Sequence, residues 1–302
     1  MSYDLNIQWP CNDFQQKPTT QELTTLKNTI ITNLQVGKTH QVLNFTINET
    51  IKIPLNDATK INPLPIKKLL EELGPKFPSL KLFSRITIQL SEPSKLQGLS
   101  KLNNYYDIIA IQPLSEKTLQ QAVLSIECDL ISLNLGSKFP FFLKFKTIGT
   151  GIQKGKKFEI CYSQLIGGSS GYNDNISTNL IKKNWFNNVL QLIRSSRSRG
   201  LVVSSGAQNA LQIRNNNDIL ILLSTLGLDK SRAKSCITTN PENVLINGRL
   251  KLKSYKQTIA IGNEDIIDND LEDLDKKSNL AGYKRKFDDT STGKLLKKAK
   301  RN

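Results

Sequence analysis

Three arginines and three serines fall in six consecutive positions near the last third of the chain: Arg194, Ser195, Ser196, Arg197, Ser198 and Arg199. Such a cluster suits phosphate chemistry. A guanidinium presents a planar fork of donors that grips a phosphate through two parallel bonds, and the serine hydroxyls add donors of their own. A basic last turn also complements the negative end of a helix dipole, so on this segment alone both readings stand. A second group of cations, Lys138, Lys144 and Lys146, is interleaved with Phe139, Phe141, Phe142 and Phe145. Aromatic rings between cations can stack on unpaired bases; they can equally serve as core or as a surface for a protein partner.

Other chemistry is poorly supplied. The single histidine, His40, cannot build a multi-histidine metal centre, and no Gly-x-Ser-x-Gly elbow accompanies it. Cys11, Cys128, Cys161 and Cys236 are scattered without a C-x-x-C, which argues against a zinc cluster and a disulfide framework and for reduced thiols. Gly37-Lys38-Thr39 resembles the end of a P-loop, but Thr32 stands where its first glycine belongs, and the segment precedes a strand instead of following one. Gly149-Thr150-Gly151 lacks the third glycine of a dinucleotide fingerprint, where Lys154 stands. Asp107, Asp129 and Glu159 lie at strand ends, where carboxylates can do acid–base work; with no histidine beside them, a structural role is the expectation.

These residues need a frame. Helix signals precede the arginine cluster: Ile181, Trp185, Val189 and Ile193 recur every fourth residue, and Gly200 is placed to end the helix. If the helix continues to Ser198, Arg194 and Arg197 are neighbours on one surface. Leu201-Val202-Val203 then reads as a strand covered on both faces. Six earlier strands are expected, starting at Tyr3, Gln41, Leu80, Asp107, Cys128 and Phe158. Helices are expected over 19–34, around Leu69–Leu73, from the Ser115 cap to Leu124, over 218–226 and over 229–236. A last helix is expected with Asn240 at its cap, Pro241 in its first position and Gly248 after its end. Strands alternating with helices predict parallel βαβ units, and seven of them suit a TIM-barrel-like (β/α) barrel better than two domains. The arginine cluster then lies at the N-terminal rim, opposite the usual active-site face.

The 302 residues carry 42 Lys and Arg against 26 Asp and Glu, a formal charge of +16. Residues 1–260 hold 32 basic and 17 acidic side chains, so the excess belongs to the expected barrel domain. A domain this basic attracts polyanions, nucleic acid first. No apolar run reaches the length of a membrane span and the start of the chain is no signal peptide, so a soluble, intracellular protein with no membrane partner is expected. Residues 261–302 form a separate unit, acidic from Glu264 to Asp273 and then basic, with few aromatics; such a tail is expected to be disordered. Its clusters Lys284-Arg285-Lys286 and Lys297, Lys298, Lys300, Arg301 are paired like a bipartite nuclear import signal. A solvated polyelectrolyte or a second nucleic-acid contact is the alternative; the pairing of the clusters favours import.

Several segments together resemble a known family: Asp4-Leu5-Asn6-Ile7 with Trp9-Pro10, Asn44-Phe45-Thr46, Lys81 to Thr87 with Pro93-Ser94-Lys95, Asp107 to Ala110, Gly136 to Pro140, Ile193 to Gly206, and Leu245 to Arg249. They are similar to the thirty-kilodalton protein subunit of eukaryotic and archaeal ribonuclease P, shared with ribonuclease MRP, in its fungal form. The resemblance implies a barrel related to metal-dependent PHP-type phosphoesterases, whose first strand carries His-x-His. Here Asp4 and Asn6 occupy those positions, so no metal, no cofactor and no catalytic residue is expected. It implies a non-catalytic subunit that supports the catalytic RNA in removing precursor tRNA 5′ leaders and in processing precursor rRNA. The implied partners are the two RNAs, a small ferredoxin-like subunit that forms a heterodimer with this chain, and the other particle proteins; the implied location is nucleus and nucleolus. The rival expectation is a metal-dependent phosphoesterase of the same barrel class.

Overall fold

Seven short runs rich in Ile, Leu, Val and Phe pair side by side in parallel, in sequence order. They are β1 (Tyr3–Gln8), β2 (His40–Asn48), β3 (Lys81–Leu90), β4 (Ile108–Pro113), β5 (Leu130–Ser132), β6 (Lys157–Cys161) and β7 (Leu201–Ser204). The computed structural model describes residues 2–54, 57, 60–92, 99–166 and 178–253. The chain just beyond β7 meets β1: Gly206 N donates to Asn6 O at 2.8 Å and Gln8 N to Ala207 O at 3.0 Å. These bonds nearly close the sheet into a cylinder. The longest register joins β2 to β3, from His40 opposite Lys81 to Asn48 opposite Gln89. The pairing of β1 with β2 slips between Asp4 and Ile7, which turns Asp4 and Asn6 towards different surroundings.

The helices that wrap the barrel start where local chemistry directs. Thr19 caps α1 (Thr20–Gln35) in a reciprocal box with Glu22, Ser115 caps α4 (Glu116–Leu124), and Asp229 caps α9 (Lys230–Ile237). Between them lie α2 (Ile66–Leu73), α3 (Leu99–Leu102), α5 (Phe145–Gln153), α6 (Ser163–Ile166), α7 (Thr178–Ser196) and α8 (Asn216–Thr225). The seven strands and their parallel pairing follow the pattern expected from the sequence. α5 was not expected, because Phe-Lys-Thr-Ile-Gly-Thr-Gly-Ile-Gln holds two glycines. Gly151 is closely packed: a Cβ there would lie 3.1 Å from the ring of Phe158 on β6, which would have to give by a few tenths of an ångström.

The apolar interior has two parts. One fills the shell between sheet and helices. The other fills the lower barrel: Tyr3, Leu5, Val42, Phe83, Ile108, Ala110, Leu130 and Val202, joined by Val244 and Leu245. Those last two belong to α10 (Thr239–Lys253), which therefore stoppers the N-terminal end.

Three expectations need correction. The last helix starts at Thr239 and not after an Asn240 cap, so Asn240 and Pro241 lie inside its first turn, and Asn240 Nδ2 instead donates to Leu201 O at 2.7 Å. Gly248 does not end the last helix; it lies inside α10, because the helix crosses the chain at Asp107 so closely that a Cβ would stand 2.0 Å from the Asp107 carbonyl oxygen. Nor does the helix before the arginine cluster reach Ser198. It stops at Ser196, since Arg197 and Ser198 take left-handed conformations with φ of 52° and 57°. The import clusters (Lys284, Arg285, Lys286, Lys297, Lys298, Lys300, Arg301) lie outside the described residues.

Gly248 and Gly149, both inside helices, make opposite predictions. Gly248→Ala should lower stability by about 1–3 kcal/mol through overpacking. Gly149→Ala, where nothing lies within 4 Å of a built Cβ, should raise it by about 0.4–1 kcal/mol by restricting the unfolded chain. Urea denaturation of both variants checks the pair.

Candidate nucleic-acid interface

The C-terminal mouth, where barrels of this kind place their chemistry, is occupied by a buried polar network. Arg85 and Glu159 are both fully buried. Arg85 Nη1 and Nη2 donate to the two Glu159 oxygens at 2.6 and 2.7 Å, Nη1 also donates to Leu5 O at 2.8 Å, and Nε to Thr87 Oγ1 at 3.0 Å. Thr87 in turn donates to Asn44, Asn44 to Asn6, and Asn6 Nδ2 to Glu159 at 3.3 Å. Burial alone would raise the Glu159 pKa; the Arg85 charge and its hydrogen bonds outweigh burial and hold the carboxyl below 4.5. Above this layer opens a cavity of about 480 Å³ lined by neutral groups, among them Gln8, Asn48, Gln89, Gln112, Asn134 and Gln208.

The carboxylates that could have served chemistry are committed elsewhere. Asp4 Oδ1 accepts from Ser205 N at 2.9 Å, and Oδ2 accepts from Asn33 Nδ2 at 2.9 Å with Lys38 Nζ at 3.8 Å. Lys38 is itself buried. Desolvation alone would lower its pKa, but Asp4 and Tyr162 reverse the direction and keep it charged. Asp107 Oδ2 accepts from Ser84 N and Oγ, both at 2.8 Å, and Asp129 accepts from Ile109 N at 3.0 Å and pairs with Lys251. Each of these two caps the neighbouring strand. Among the described residues, no group of three or more His, Cys, Asp and Glu side chains is placed to hold a metal ion. The rival phosphoesterase reading therefore lacks a ligand set there.

The opposite rim is cationic. There α7 closes with a Schellman turn: Ser198 N donates to Ile193 O at 3.0 Å and Arg197 N to Arg194 O at 3.2 Å. Arg194, Arg197 and Arg199 are exposed. The neighbouring serines divide. Ser195 and Ser196 are buried, with hydroxyls donating to Leu192 O and Ile193 O, whereas Ser198 is half-buried. The described contacts thus leave the arginines as the principal outward donors. Arg197 lies over the Phe145 ring at 4.1 Å, a contact that joins this turn to the lysine–phenylalanine segment. Lys138, Lys144 and Lys146 are exposed but belong to the loop that leaves the C-terminal end of β5 and to the start of α5, so they lie towards the mouth and not on this rim; Lys144 pairs with Glu116 at the start of α4 at 2.5 Å. Phe142 is 82% exposed, while Phe139 and Phe141 stack on each other and pack on the core. Arg232 was missed from the sequence; its guanidinium donates to Arg197 O at 3.0 Å. No local pattern marks it, since only the fold brings α9 to this turn.

Fold and site together define a (β/α) barrel with an uncharged mouth and an arginine-rich opposite rim. The chain matches the family described as RNase P subunit p30 over residues 1–253. It is 37% identical to the ribonuclease P/MRP protein subunit RPP1 of Saccharomyces cerevisiae across 99% of this chain and 100% of that relative. It is 26% identical to a probable ribonuclease P protein subunit of Schizosaccharomyces pombe, across 86% of this chain and 98% of that one. Among solved structures, a chain of archaeal ribonuclease P with mature tRNA shares the fold, with a TM-score of 0.58 at 14% identity over 87% of this chain and 99% of that chain. The chain belongs to the RNase P subunit p30 family, and as a member it is a protein subunit of ribonuclease P.

The buried pair predicts a particular acid response. A depressed native pKa contributes stability that is complete above the unfolded value near 4.5 and is lost as pH falls through the native value. Glu159→Gln should therefore flatten the acid limb of the stability–pH curve. Arg85→Met should cost about 3–5 kcal/mol by leaving a buried carboxylate unpaired, and adding Glu159→Leu should recover much of that loss. Chemical denaturation between neutral pH and pH of about 3 checks all three, over the window that the carboxylate reference value sets.

Proposed function

We propose that the chain holds the RNA of ribonuclease P, and of ribonuclease MRP, along its N-terminal rim. The chain is a non-catalytic subunit of a particle whose RNA does the chemistry. The work of the particle is removal of precursor tRNA 5′ leaders and processing of precursor rRNA. The observation that carries the reading is the arginine turn. Arg194, Arg197 and Arg199 are exposed on a turn whose serines bond inward and whose backbone is held left-handed at two non-glycine positions. Strain of about 1–3 kcal/mol at such a residue is most often kept where function uses the side chain. Lys138, Lys144 and Lys146, on the β5–α5 loop and the start of α5 towards the mouth, offer a separate contact around Phe142, and Ser198 supports the arginine turn. A small ferredoxin-like subunit pairs with this chain, and other proteins of the particle complete the assembly.

Replacing Arg194, Arg197 and Arg199 together by Ala should flatten the log–log salt dependence of RNA affinity by about 2 units, at about 0.7 per single-strand phosphate released. Lys replacements should restore part of the affinity, since charge returns without the fork. Melting temperature should change little, the three side chains being exposed. An unchanged slope would remove the arginines from the RNA, and a large drop in melting temperature would make them structural.

Subunits of this family are nuclear in eukaryotes. The finer reading is that residues 261–302 form a separate tail whose clusters at 284–286 and 297–301 direct import, with the nucleolus as destination. Deleting residues 280–302 should lower the nuclear fraction of the chain expressed without its assembly partners. The control excludes carriage by a partner, and an unchanged distribution would refute the import role.

A further inference from the structure

One blade round the rim from the arginine turn, the end of α4, the start of β5, the α5–β6 turn and the last turns of α10 enclose a concavity of about 450 Å³. Lys154, Lys156 and Lys251 converge on it from two distant parts of the sequence. Their ammonium groups are already positioned. Lys154 donates to Leu124 O, Lys156 to Ala122 O and Ile126 O, and Lys251 pairs with Asp129. The carbonyl acceptors belong to the last turn of α4 and the residues after it, where a helix leaves its carbonyls without partners. They fix the lysine heads without cancelling their charge. An ammonium has three donors, so these four contacts use fewer than half of the donors present. Two carboxylates also line the concavity. Asp129 is taken by Lys251, and Glu127 is exposed and accepts from Asn103 Nδ2 at 3.5 Å. The balance at Lys154 and Lys156 stays positive. Lys156 feels it: burial, then the like charges of Lys154 and Lys251, lower its pKa, while Cys128 and Asp129 act in the other direction. An anion seated between the lysines relieves that repulsion.

The concavity adjoins the proposed RNA contact. Gly200, at the foot of the arginine turn, packs so tightly on Ile152 of α5 that a Cβ would lie 2.8 Å from it. The α5–β6 and α7–β7 turns are therefore neighbours on one rim.

We propose that this lysine-lined concavity is a second RNA site, seating a backbone phosphate of the strand that the arginine turn holds. The proposal rests on the reading of the arginine turn as an RNA contact. It extends the contact across the rim to residues that no local sequence pattern groups together. Lys154 and Lys156 supply the phosphate donors, and α10 supplies the far wall through Asn247 and Lys251.

The test uses the full-length chain and single-stranded oligouridylate over a salt series, with melting curves alongside. Lys154→Gln with Lys156→Gln should reduce the log–log slope by about 0.7 units, the value for the one single-strand phosphate seated there. Lys154→Arg with Lys156→Arg should keep the wild-type slope. Because Lys156 also braces α4, Lys154→Gln alone provides a second test, with a smaller loss of slope, at most about 0.7 units. An unchanged slope in a variant that melts like the wild type overturns the proposal. So does a polyglutamate peptide that binds the wild type but not the double variant while the RNA slope stays the same; that outcome assigns the site to an acidic protein segment. Inorganic phosphate that raises the melting temperature of the wild type alone, again with an unchanged RNA slope, assigns it to a free anion and equally overturns it. The arginine variant separates the two readings. A slope lowered by the arginine changes but not by the lysine changes removes only the second site, and the reverse removes only the arginine turn.

Discussion

The upper half of the barrel depends on one buried ion pair. Arg85 on β3 and Glu159 on β6 are separated by two strands in the sheet order, so their two-bond contact braces the cylinder across its interior. Taking both charges out of water costs several kcal/mol each, and Coulomb attraction alone does not reliably offset that. Here the remaining donors and acceptors are used as well, by Leu5 O, Thr87 and Asn6. Satisfied in this way, the pair fixes the arrangement of β1, β2, β3 and β6 through the chain of bonds from Thr87 to Asn44 to Asn6. It also places a charged plug with no exposed surface where a barrel enzyme would keep an open, reactive site.

The two ends of the molecule differ for that reason. At the C-terminal mouth the charges lie buried and mutually cancelled beneath a rim of amides and hydroxyls. At the N-terminal end α10 closes the barrel with Val244 and Leu245, and Gly248 lets it approach the Asp107 carbonyl. With the lower interior filled by apolar side chains, the cations of the turns between helix and strand stay at the surface. The N-terminal rim thus presents the arginine turn beside the lysines of the α5–β6 turn, a grouping suited to holding a polyanion.

Much of this was legible in the sequence. Apolar residues announced the strands, by alternation in β1 and by nearly continuous runs in β4 and β7, where strands covered on both faces need apolar residues at successive positions. Ser115 announced its helix through its cap. The arginine turn was visible as a cluster, and the single histidine, His40, could not build a multi-histidine metal centre. What stayed hidden depended on contacts between distant segments. Gly248 looks like a helix stop in one dimension; its close contact with Asp107 requires knowing that α10 crosses the barrel floor. The bond from Arg232 to Arg197 and the convergence of Lys154 and Lys251 are likewise products of the closed cylinder. Ser195 and Ser196 carried the right chemistry for phosphate, but the helix phase turned them inward.

The arginine turn shows how the chain trades backbone comfort for side-chain position. The residue after a helix cap is most cheaply a glycine, which enters the left-handed region without penalty. This chain has arginine there and serine next, and reserves glycine for position 200, where Ile152 leaves no room for a Cβ. The turn is held by neighbours: Phe145 under the Arg197 guanidinium and Arg232 on its carbonyl oxygen. A guanidinium anchored at both its backbone and its plane loses less conformational entropy when it meets a phosphate than one on a freely rotating side chain. The same logic applies to the lysines anchored on the α4 carbonyls. In both places the fold spends local stability to present cations already in position, which is what a protein needs if its task is to hold RNA in one shape while the RNA does the chemistry.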